Sequence, residues 1–204
     1  MGTVDPVATG VGLREQKKQK TLAALQRAAL DLVAAHGFDR VTIDDIAAAA
    51  DVSKTTFYRY LATKEDALLA NRAEKLEYLR LALAAQPPDA PPLEAVRVAV
   101  REVAQRYQHD RRQMLALAKI TRVTPSLAAR TLEYDAASEE LLREYFARRD
   151  PDGAASLRPW VRAALVVATL RAARDYWLTR GAALALPDLV DDALRILIDK
   201  DGTG

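Results

Sequence analysis

The stretch TIDDIAAAADVSKTTFYRYLATKEDAL, residues 42–68, decides the fold of this chain. Its first four residues, Thr42–Asp45, form a capping box and predict a helix that begins at residue 43. Residues 51–53 then interrupt the helical spacing, and the serine that ends them is a favoured N-cap for a second short helix over 54–61. A second capping box, Thr63–Asp66, starts the next helix. This order of elements is typical of a helix-turn-helix with its exit helix attached.

The second short helix has two distinct faces. At about 100° per residue, Phe57 and Leu61 share one side, whereas Thr55 and Arg59 point the opposite way. An arginine can donate two hydrogen bonds to a guanine edge, and a threonine methyl group can contact a thymine methyl group. The outward face is therefore suited to double-stranded DNA. The alternative is a solvated face in an unrelated helical bundle, which the spacing alone does not exclude.

With Gly37-Phe38, this stretch resembles the DNA-binding domain of the TetR family of transcriptional regulators over roughly residues 19–70. The residues that carry the resemblance are Ala28-Ala29, Leu32, Gly37-Phe38, Thr42 to Ala47, Val52-Ser53, Thr56 to Tyr60 and Lys64 to Leu68. Asp51 departs from the glycine that is usual in the turn, and Leu61 and Val33 stand where phenylalanine is usual. Aspartate tolerates a positive φ better than most residues, so the turn is expected to survive, with a smaller core behind it.

The resemblance implies a role for individual side chains. The residues expected to face bases are Lys54, Thr55 and Arg59. Those expected to face phosphates are Thr42, Thr56, Tyr58, Tyr60 and Lys64. Lys18 and Lys20 are added as phosphate contacts because they belong to a basic cluster, residues 14–20, with a net charge of +3. An ordinary solvated helix start explains the same lysines equally well.

Composition bounds the remaining possibilities. Half of the 204 residues are hydrophobic, and alanine and leucine dominate, which favours helices throughout. The chain has no cysteine, so disulfides, thiolate catalysis and zinc–thiolate sites are excluded, and a reducing cytoplasm suits it. No apolar run approaches the ~20 residues that span a bilayer, and the first 12 residues do not resemble a signal peptide. We expect no membrane partner.

The predicted fold is all-α, with about nine helices in four parts. These parts are a disordered arm (1–13), a helix-turn-helix DNA-binding domain (14–63), a connecting helix (64–85) and a helical effector-binding and dimerisation domain (86–204). Helix 1 is expected over about Lys17 to His36 with Gly37 as its C-cap. Four prolines within residues 86–92 mark the break before the last part.

The family resemblance also implies that the last two helices pair with their copies in a homodimer. Their apolar stripes are Val161, Leu165, Ala168, Ala172 and Tyr176, and then Leu189, Ala193, Ile196 and Leu197. Helical spacing does not distinguish burial against the same chain from burial against a second chain. The default expectation is burial within the chain.

Residues 111–149 resemble the C-terminal domain of a TetR subgroup that includes the mycofactocin-system regulator, which implies an acyl-CoA-like ligand. The candidate pocket residues are Arg111, Met114, Leu117, Phe146 and Trp177. The arginine could meet a phosphate, and the other four could line an apolar tunnel. The alternative is that these apolar residues are ordinary core.

Three functions compete at this point. The first is a ligand-responsive transcriptional repressor that binds a palindromic operator as a homodimer and is released by a small hydrophobic or acyl-CoA-like effector. The second is a constitutive DNA-binding regulator with no effector. The third is an enzyme, but the chain has no HExxH, GxSxG, P-loop or GxGxxG motif, and Asp150–Gly153 is a turn rather than a calcium loop. We therefore expect no catalytic residue, metal or cofactor.

Overall fold

The computed structural model describes residues 12–108, 111–181 and 183–201 of the chain. Within these ranges the chain forms ten α-helices, short 3-10 segments at Phe38–Arg40 and Gly153–Ala155, and no β-strand. The helices are α1 (Leu13–His36), α2 (Ile43–Ala49), α3 (Lys54–Tyr60), α4 (Lys64–Leu68), α5 (Arg72–Ala84), α6 (Pro92–Tyr107), α7 (Arg111–Val123), α8 (Pro125–Ala147), α9 (Arg158–Thr179) and α10 (Leu186–Asp201). The predicted all-α fold is confirmed. No helix in the described part of the chain is both long enough and apolar enough to cross a bilayer.

The chain divides into two compact units, residues 1–71 and residues 72–204. The first, called here the N-terminal unit, contains α1 to α4, and the second, the C-terminal unit, contains α5 to α10. In the N-terminal unit α1 packs against α2 and α4. The fully buried side chains at its centre are Leu25, Ala29, Ile46, Phe57, Ala67 and Leu68. Burial of each larger one contributes about 1.5–3 kcal/mol to folding, so this small unit depends on a few side chains.

Helix α1 begins four residues earlier than the sequence predicted. Leu13 is already helical, so the expected arm over 1–13 is corrected at its last residue, and residues 1–11 lie outside the described ranges. The basic residues that follow are well tolerated in an exposed helix, which explains the longer helix. At the other end Gly37 has φ 85°, and its N–H donates to the carbonyl of Val33 at 2.9 Å. That backbone conformation favours glycine, and the predicted C-cap is confirmed.

The predicted connecting helix over 64–85 is wrong as a single helix. It is two helices, α4 ending at Leu68 and α5 beginning at Arg72, with a turn between them. The two pieces belong to different cores: Ala67 and Leu68 are buried in the N-terminal unit, whereas Leu79 and Leu83 join the core of the C-terminal unit. Residue 71, directly before α5, is an asparagine, a residue type that favours helix starts over helix interiors.

The C-terminal unit is held by one apolar core to which α5, α6, α8, α9 and α10 all contribute. Its largest fully buried side chains are Trp177, Tyr145 and Phe146. The indole Nε1 of Trp177 donates to the carbonyl of Leu184 at 2.8 Å, so the buried ring has no unsatisfied donor. Pro92, Pro125 and Pro159 each lie at the first or second position of a helix, where proline costs no hydrogen bond.

The apolar stripe of α9 departs from the default expectation of burial within the chain. Its members Val161, Leu165, Ala168, Ala172 and Tyr176 are all exposed. The reason is that the opposite side of α9 already supplies the core, through Ala163, Val166, Val167, Ala173 and Trp177. On α10, Ile196 is 64% exposed, while Leu189, Ala193 and Leu197 are half-buried. The C-terminal unit therefore presents an apolar surface that no described part of the chain covers.

Candidate DNA-binding surface

The turn between α2 and α3 is built from local hydrogen bonds. Thr42 and Asp45 form the predicted capping box, and the bonds from Thr42 hold the pKa of the Asp45 carboxyl below its usual range. Asp51 has φ 55°, the conformation for which glycine is usual. The side chain of Ser53 then accepts from the N–H of Thr56 at 3.1 Å and caps α3. The predicted helix-turn-helix start, turn and N-cap are all confirmed.

The orientation of α3 follows from one anchor. Phe57 is fully buried, and Leu61, the C-cap residue, is half-buried. On the other side Lys54, Thr55 and Arg59 are exposed. The three side chains predicted to face bases thus share a solvent-facing surface of the recognition helix. Their contacts with bases remain predictions.

Arg59 is held in place before any DNA arrives. Its Nη2 donates to Oγ1 of Thr56 at 3.0 Å, and that hydroxyl lies 2.9 Å from Oγ of Ser53. The guanidinium also lies over the ring of Tyr60, 5.5 Å from its centroid. Pre-ordering of this kind reduces the side-chain entropy that is lost when a base contact forms. Thr56 therefore supports Arg59 in addition to its predicted role at a phosphate.

Lys54 carries a partner that the sequence did not indicate. Its Nζ donates to Oδ2 of Asp44 on α2 at 2.9 Å, and both side chains are exposed. This hydrogen bond raises the pKa of Lys54 above its ordinary value. Because the two residues are separated by a turn, no helical spacing relates them. Any DNA acceptor must compete with Asp44 for the Lys54 ammonium group.

Substitution Asp44→Asn is expected to raise the affinity for DNA of any sequence severalfold. It frees Lys54 and removes a negative charge that would repel phosphates. Because one more cation becomes available, the slope of log K against log salt should become steeper by about one. Fluorescence anisotropy with a mixed-sequence duplex, over a range of KCl concentrations, measures both quantities. Asp31→Asn, the same charge change at an exposed position of α1, should leave both unchanged; an equal response would contradict a specific role for Asp44.

The remaining side chains predicted to contact phosphates differ in their exposure and in the hydrogen bonds they already make. Tyr58 is 53% exposed, whereas Tyr60 is half-buried beneath Arg59. The hydroxyl of Thr42 donates to Asp45 at 2.7 Å within the capping box, although the residue itself is exposed. Nζ of Lys64 donates to the carbonyl of Phe38 at 2.8 Å, and it lies 4.3 Å from the centroid of the Phe38 ring. Lys64 thus ties the start of α4 to the segment after α1.

Lys18 and Lys20 lie on α1 itself rather than in a preceding arm. Lys20 is exposed, and Nζ of Lys18 lies 3.4 Å from Oε1 of Glu15. Sequence reasoning also missed Gln26, which is buried and donates from Nε2 to the carbonyl of Leu68 at 3.0 Å. A glutamine among the apolar positions of α1 was the available signal. This bond fixes α4 against α1 and so supports the helix-turn-helix from behind.

The C-terminal unit contains a cavity of about 200 Å³. Leu79, Val100, Leu142, Val167 and Val190 are among its apolar lining residues. Its polar lining residues are Lys75, Tyr134, Asp135, Ser138, Arg171 and Arg174. Within the described residues no group of His, Cys, Asp or Glu side chains is arranged to hold a metal ion.

The predicted pocket residues are only partly brought together. Met114 lines the cavity. Phe146 and Trp177 do not, because they are almost fully buried in the core, as the alternative interpretation of these residues expected. Leu117 is half-buried on α7. Arg111 is exposed and donates from Nη2 to the carbonyl of Gly181 at 2.6 Å.

Comparison with known proteins places both units in one family. Residues 25–70 match the family described as bacterial regulatory proteins, tetR family, and residues 90–201 match the MftR C-terminal domain. The HTH-type transcriptional regulator TcmR of Streptomyces glaucescens is 33% identical over 181 residues, which cover 84% of this chain and 79% of TcmR. These matches confirm both resemblances inferred from the sequence.

Solved structures share the fold. The fatty acid degradation regulator FadR from Bacillus halodurans superposes with a TM-score of 0.64 at 18% identity, covering 87% of this chain and 94% of that one. FadR of Thermus thermophilus, a TetR-family repressor solved with lauroyl-CoA, has a TM-score of 0.57 at 23% identity, covering 87% and 93%. With its matches to TcmR and to both family domains, this chain belongs to the TetR family and is a DNA-binding transcriptional regulator, not an enzyme.

Proposed function

We propose that this regulator is a ligand-responsive repressor that binds a palindromic operator as a homodimer in the cytoplasm. The observation that carries the proposal is the orientation of α3, with Phe57 buried and Thr55 and Arg59 exposed. In the proposal Lys54, Thr55 and Arg59 contact bases in the major groove. The phosphate contacts, which set the position of the protein along the DNA, are made by Thr42, Thr56, Tyr58, Tyr60, Lys64, Lys18 and Lys20.

A homodimer is proposed because a single recognition helix contacts too few base pairs. A helix of seven residues reaches only a few base pairs, too few for useful selectivity, whereas two copies read two half-sites one helical turn apart. The exposed stripe of α9 supports α9 and α10 as the dimerisation surface. Contiguous exposed apolar surface on a folded unit typically marks a contact with another protein. A second copy of this chain is the partner that the two half-sites require.

Leu165→Asp tests the proposed dimer. Leu165 is 45% exposed at the middle of the α9 stripe, so aspartate is tolerated in the monomer but places an unpaired charge in the dimer interface. Light scattering after size exclusion is expected to show a monomer. Binding to the palindromic operator should weaken at least tenfold while far-ultraviolet circular dichroism stays unchanged. Leu132→Asp, an equally polar change at an exposed leucine of α8, should remain dimeric; dimers of both variants would refute this interface.

The cavity in the C-terminal unit supports an effector, either small and hydrophobic or acyl-CoA-like. A ligand can shift the regulator only through a difference in its affinity for two conformations. In the proposal it favours a dimer geometry in which the two recognition helices no longer match successive major grooves. Coupling of this kind typically changes affinity about 5- to 150-fold.

The test begins with selection of the operator from random duplexes, which should return a palindrome. A thermal-shift screen with acyl-CoAs and hydrophobic small molecules then finds ligands of the C-terminal unit. Each ligand that raises the melting temperature is expected to weaken operator binding within the range given above. If no ligand does so, the chain is a constitutive DNA-binding regulator, and the proposed response to an effector is wrong.

A further inference from the structure

The cavity of the C-terminal unit has a polar end and an apolar end. Five of its six polar side chains come from neighbouring turns of two helices: Tyr134, Asp135 and Ser138 on α8, and Arg171 and Arg174 on α9; the sixth is Lys75 on α5. The apolar end is lined by Leu142, Val167 and Leu170 of the same two helices. Leu79 on α5 and Val100 on α6 also line this end. A ligand that fills this space must therefore be amphipathic.

Cations outnumber carboxylates at the polar end. Asp135 is only 9% exposed, and its Oδ2 lies 3.1 Å from Nη2 of Arg171, while its Oδ1 lies 3.9 Å from Nη1 of Arg174. A third guanidinium, that of Arg72, stands over the ring of Tyr134 at 5.0 Å. Burial lowers the pKa of Arg72 and the charge of Arg174 adds to this effect, while Tyr134 and Asp135 act in the opposite direction. The lining cations Lys75, Arg171 and Arg174 outnumber Asp135 and Asp175, whose Oδ1 lies 3.4 Å from Nε of Arg174, so positive charge is in surplus here.

The guanidinium of Arg171 is not fully engaged by Asp135. No donor in the described part of the chain is aligned for a hydrogen bond with the buried Oδ2 of Asp135, although the two charges are in contact. A guanidinium has five N–H donors in a planar fork that matches a carboxylate. The N–H groups of Arg171 can therefore turn to a second acceptor at the cavity wall. Asp135 offsets part of this positive charge.

We infer that the C-terminal unit binds a small organic carboxylate, with its anionic group against Arg171 and Arg174 and its apolar body between Leu79, Val100 and Leu142. This inference rests on the proposed effector function and names the class of effector. The volume sets the size: an apolar cavity of roughly 150 Å³ holds one benzene ring, so about 200 Å³ suits a single ring or a medium-length alkyl chain.

The same arrangement discriminates against two related ligands. An alcohol with the same apolar body offers no charge to the two arginines and gains only an ordinary hydrogen bond. A CoA thioester replaces the carboxylate by a neutral carbonyl, and its phosphates are separated from that carbonyl by the whole pantetheine arm. Both should therefore bind more weakly than the free acid.

Titration calorimetry with octanoate, octan-1-ol and octanoyl-CoA tests this class, since the three ligands share one chain length. Octanoate is expected to bind at least tenfold more tightly than either of the others. Arg171→Gln should abolish the preference for octanoate over octan-1-ol and leave the binding of octan-1-ol unchanged. Asp135→Asn should have the opposite effect and raise the affinity for octanoate severalfold, because it removes the competing carboxylate.

Control variants separate this effect from folding and from overall charge. Arg148→Gln makes the same charge change at the exposed C-cap residue of α8, which does not line the cavity, and should keep the preference for octanoate. Arg174→Gln serves as a second test at the polar end if Arg171→Gln fails to fold by circular dichroism.

Three results would overturn the inference. The first is tighter binding of octan-1-ol or octanoyl-CoA than of octanoate, and the second is no octanoate binding at millimolar concentration. The third is an unchanged preference for octanoate in a folded Arg171→Gln or Arg174→Gln protein. Tight octanoyl-CoA binding that releases DNA would leave the proposed ligand response intact while refuting the carboxylate class. Octanoate binding without loss of operator affinity would support the carboxylate class while refuting the proposed ligand response.

Discussion

Replacing Arg59 with alanine is expected to weaken operator binding by about 1–3 kcal/mol and to flatten the base preference at one position in each half-site. The side chain is exposed on the outer face of α3 and is already oriented by Thr56 and Tyr60. The proposed bidentate contact with a guanine edge is lost in the variant, because alanine has no side-chain hydrogen-bond donor. Binding to unrelated sequences should fall much less.

Selection of binding sites from random duplexes, with the native protein and the variant in parallel, measures the change directly. Arg27→Ala, which removes an exposed arginine of α1 outside the recognition helix, is the matched control. It should leave the selected sequence unchanged. An unchanged preference in the Arg59→Ala protein would refute the assignment of this residue to a base and place it with the phosphate contacts.

Replacing Asp191 with alanine is expected to destabilise the C-terminal unit by about 3 kcal/mol. Its carboxylate is 5% exposed and joins α10 to α6 through Arg97 and Arg101, with Arg195 at 3.0 Å as a third partner. Removal of the carboxylate leaves these guanidiniums without their shared counter-charge. The expected value lies at the lower end of the range for buried pairs because Arg101 and Arg195 reach solvent and can be rehydrated.

Urea unfolding followed by tryptophan fluorescence measures this loss. Both tryptophans of the chain, Trp160 and Trp177, lie in the C-terminal unit, so the signal reports on that unit. Asp192→Ala removes the neighbouring, exposed aspartate of the same helix and should change stability by less than about 0.5 kcal/mol. Equal effects of the two substitutions would show that the buried ion cluster contributes nothing specific.

The contribution of Asp191 also has a defined pH dependence. Burial raises the pKa of its carboxyl, but the hydrogen bond and charge of Arg97, together with the charges of Arg195 and Arg101, outweigh burial and bring the pKa below its ordinary value. A carboxyl with a lowered pKa in the folded state stabilises the protein above its unfolded-state pKa of about 3.9 and loses that contribution as pH falls through the folded-state value. The difference between native and Asp191→Ala stability should therefore be constant from neutral pH to about pH 5 and shrink below about pH 4.

The helix-turn-helix could be predicted closely because its signals are local. The capping boxes at Thr42 and Thr63, the N-cap at Ser53 and the C-cap at Gly37 each depend on bonds between residues three or four positions apart. Asp51 could be assigned to the turn because few residue types tolerate a positive φ. The exposure of Arg59 opposite Phe57 follows from helical periodicity.

Features that depend on distant partners were not accessible in this way. The ion pair of Lys54 with Asp44 crosses a turn, and the cluster around Asp135 joins two helices. Trp177 and Phe146 were candidates for a pocket, yet they lie in the core, since an apolar side chain at helical spacing suits a cavity wall and a core equally. The predicted helix is broken after Leu68 because its two parts pack in two separate cores.

By itself, the sequence determined most of the secondary structure, the position of the short helix α3 and the family, because capping, turn geometry and periodicity act over a few neighbouring residues. Only the tertiary structure decided which apolar stripe is buried and which charges meet. The α9 stripe from Val161 to Tyr176 has the spacing of a buried face, but the opposite face of the same helix fills the core and leaves it exposed. Burial is a property of what packs against a residue, and that partner is fixed by the whole fold rather than by the local pattern.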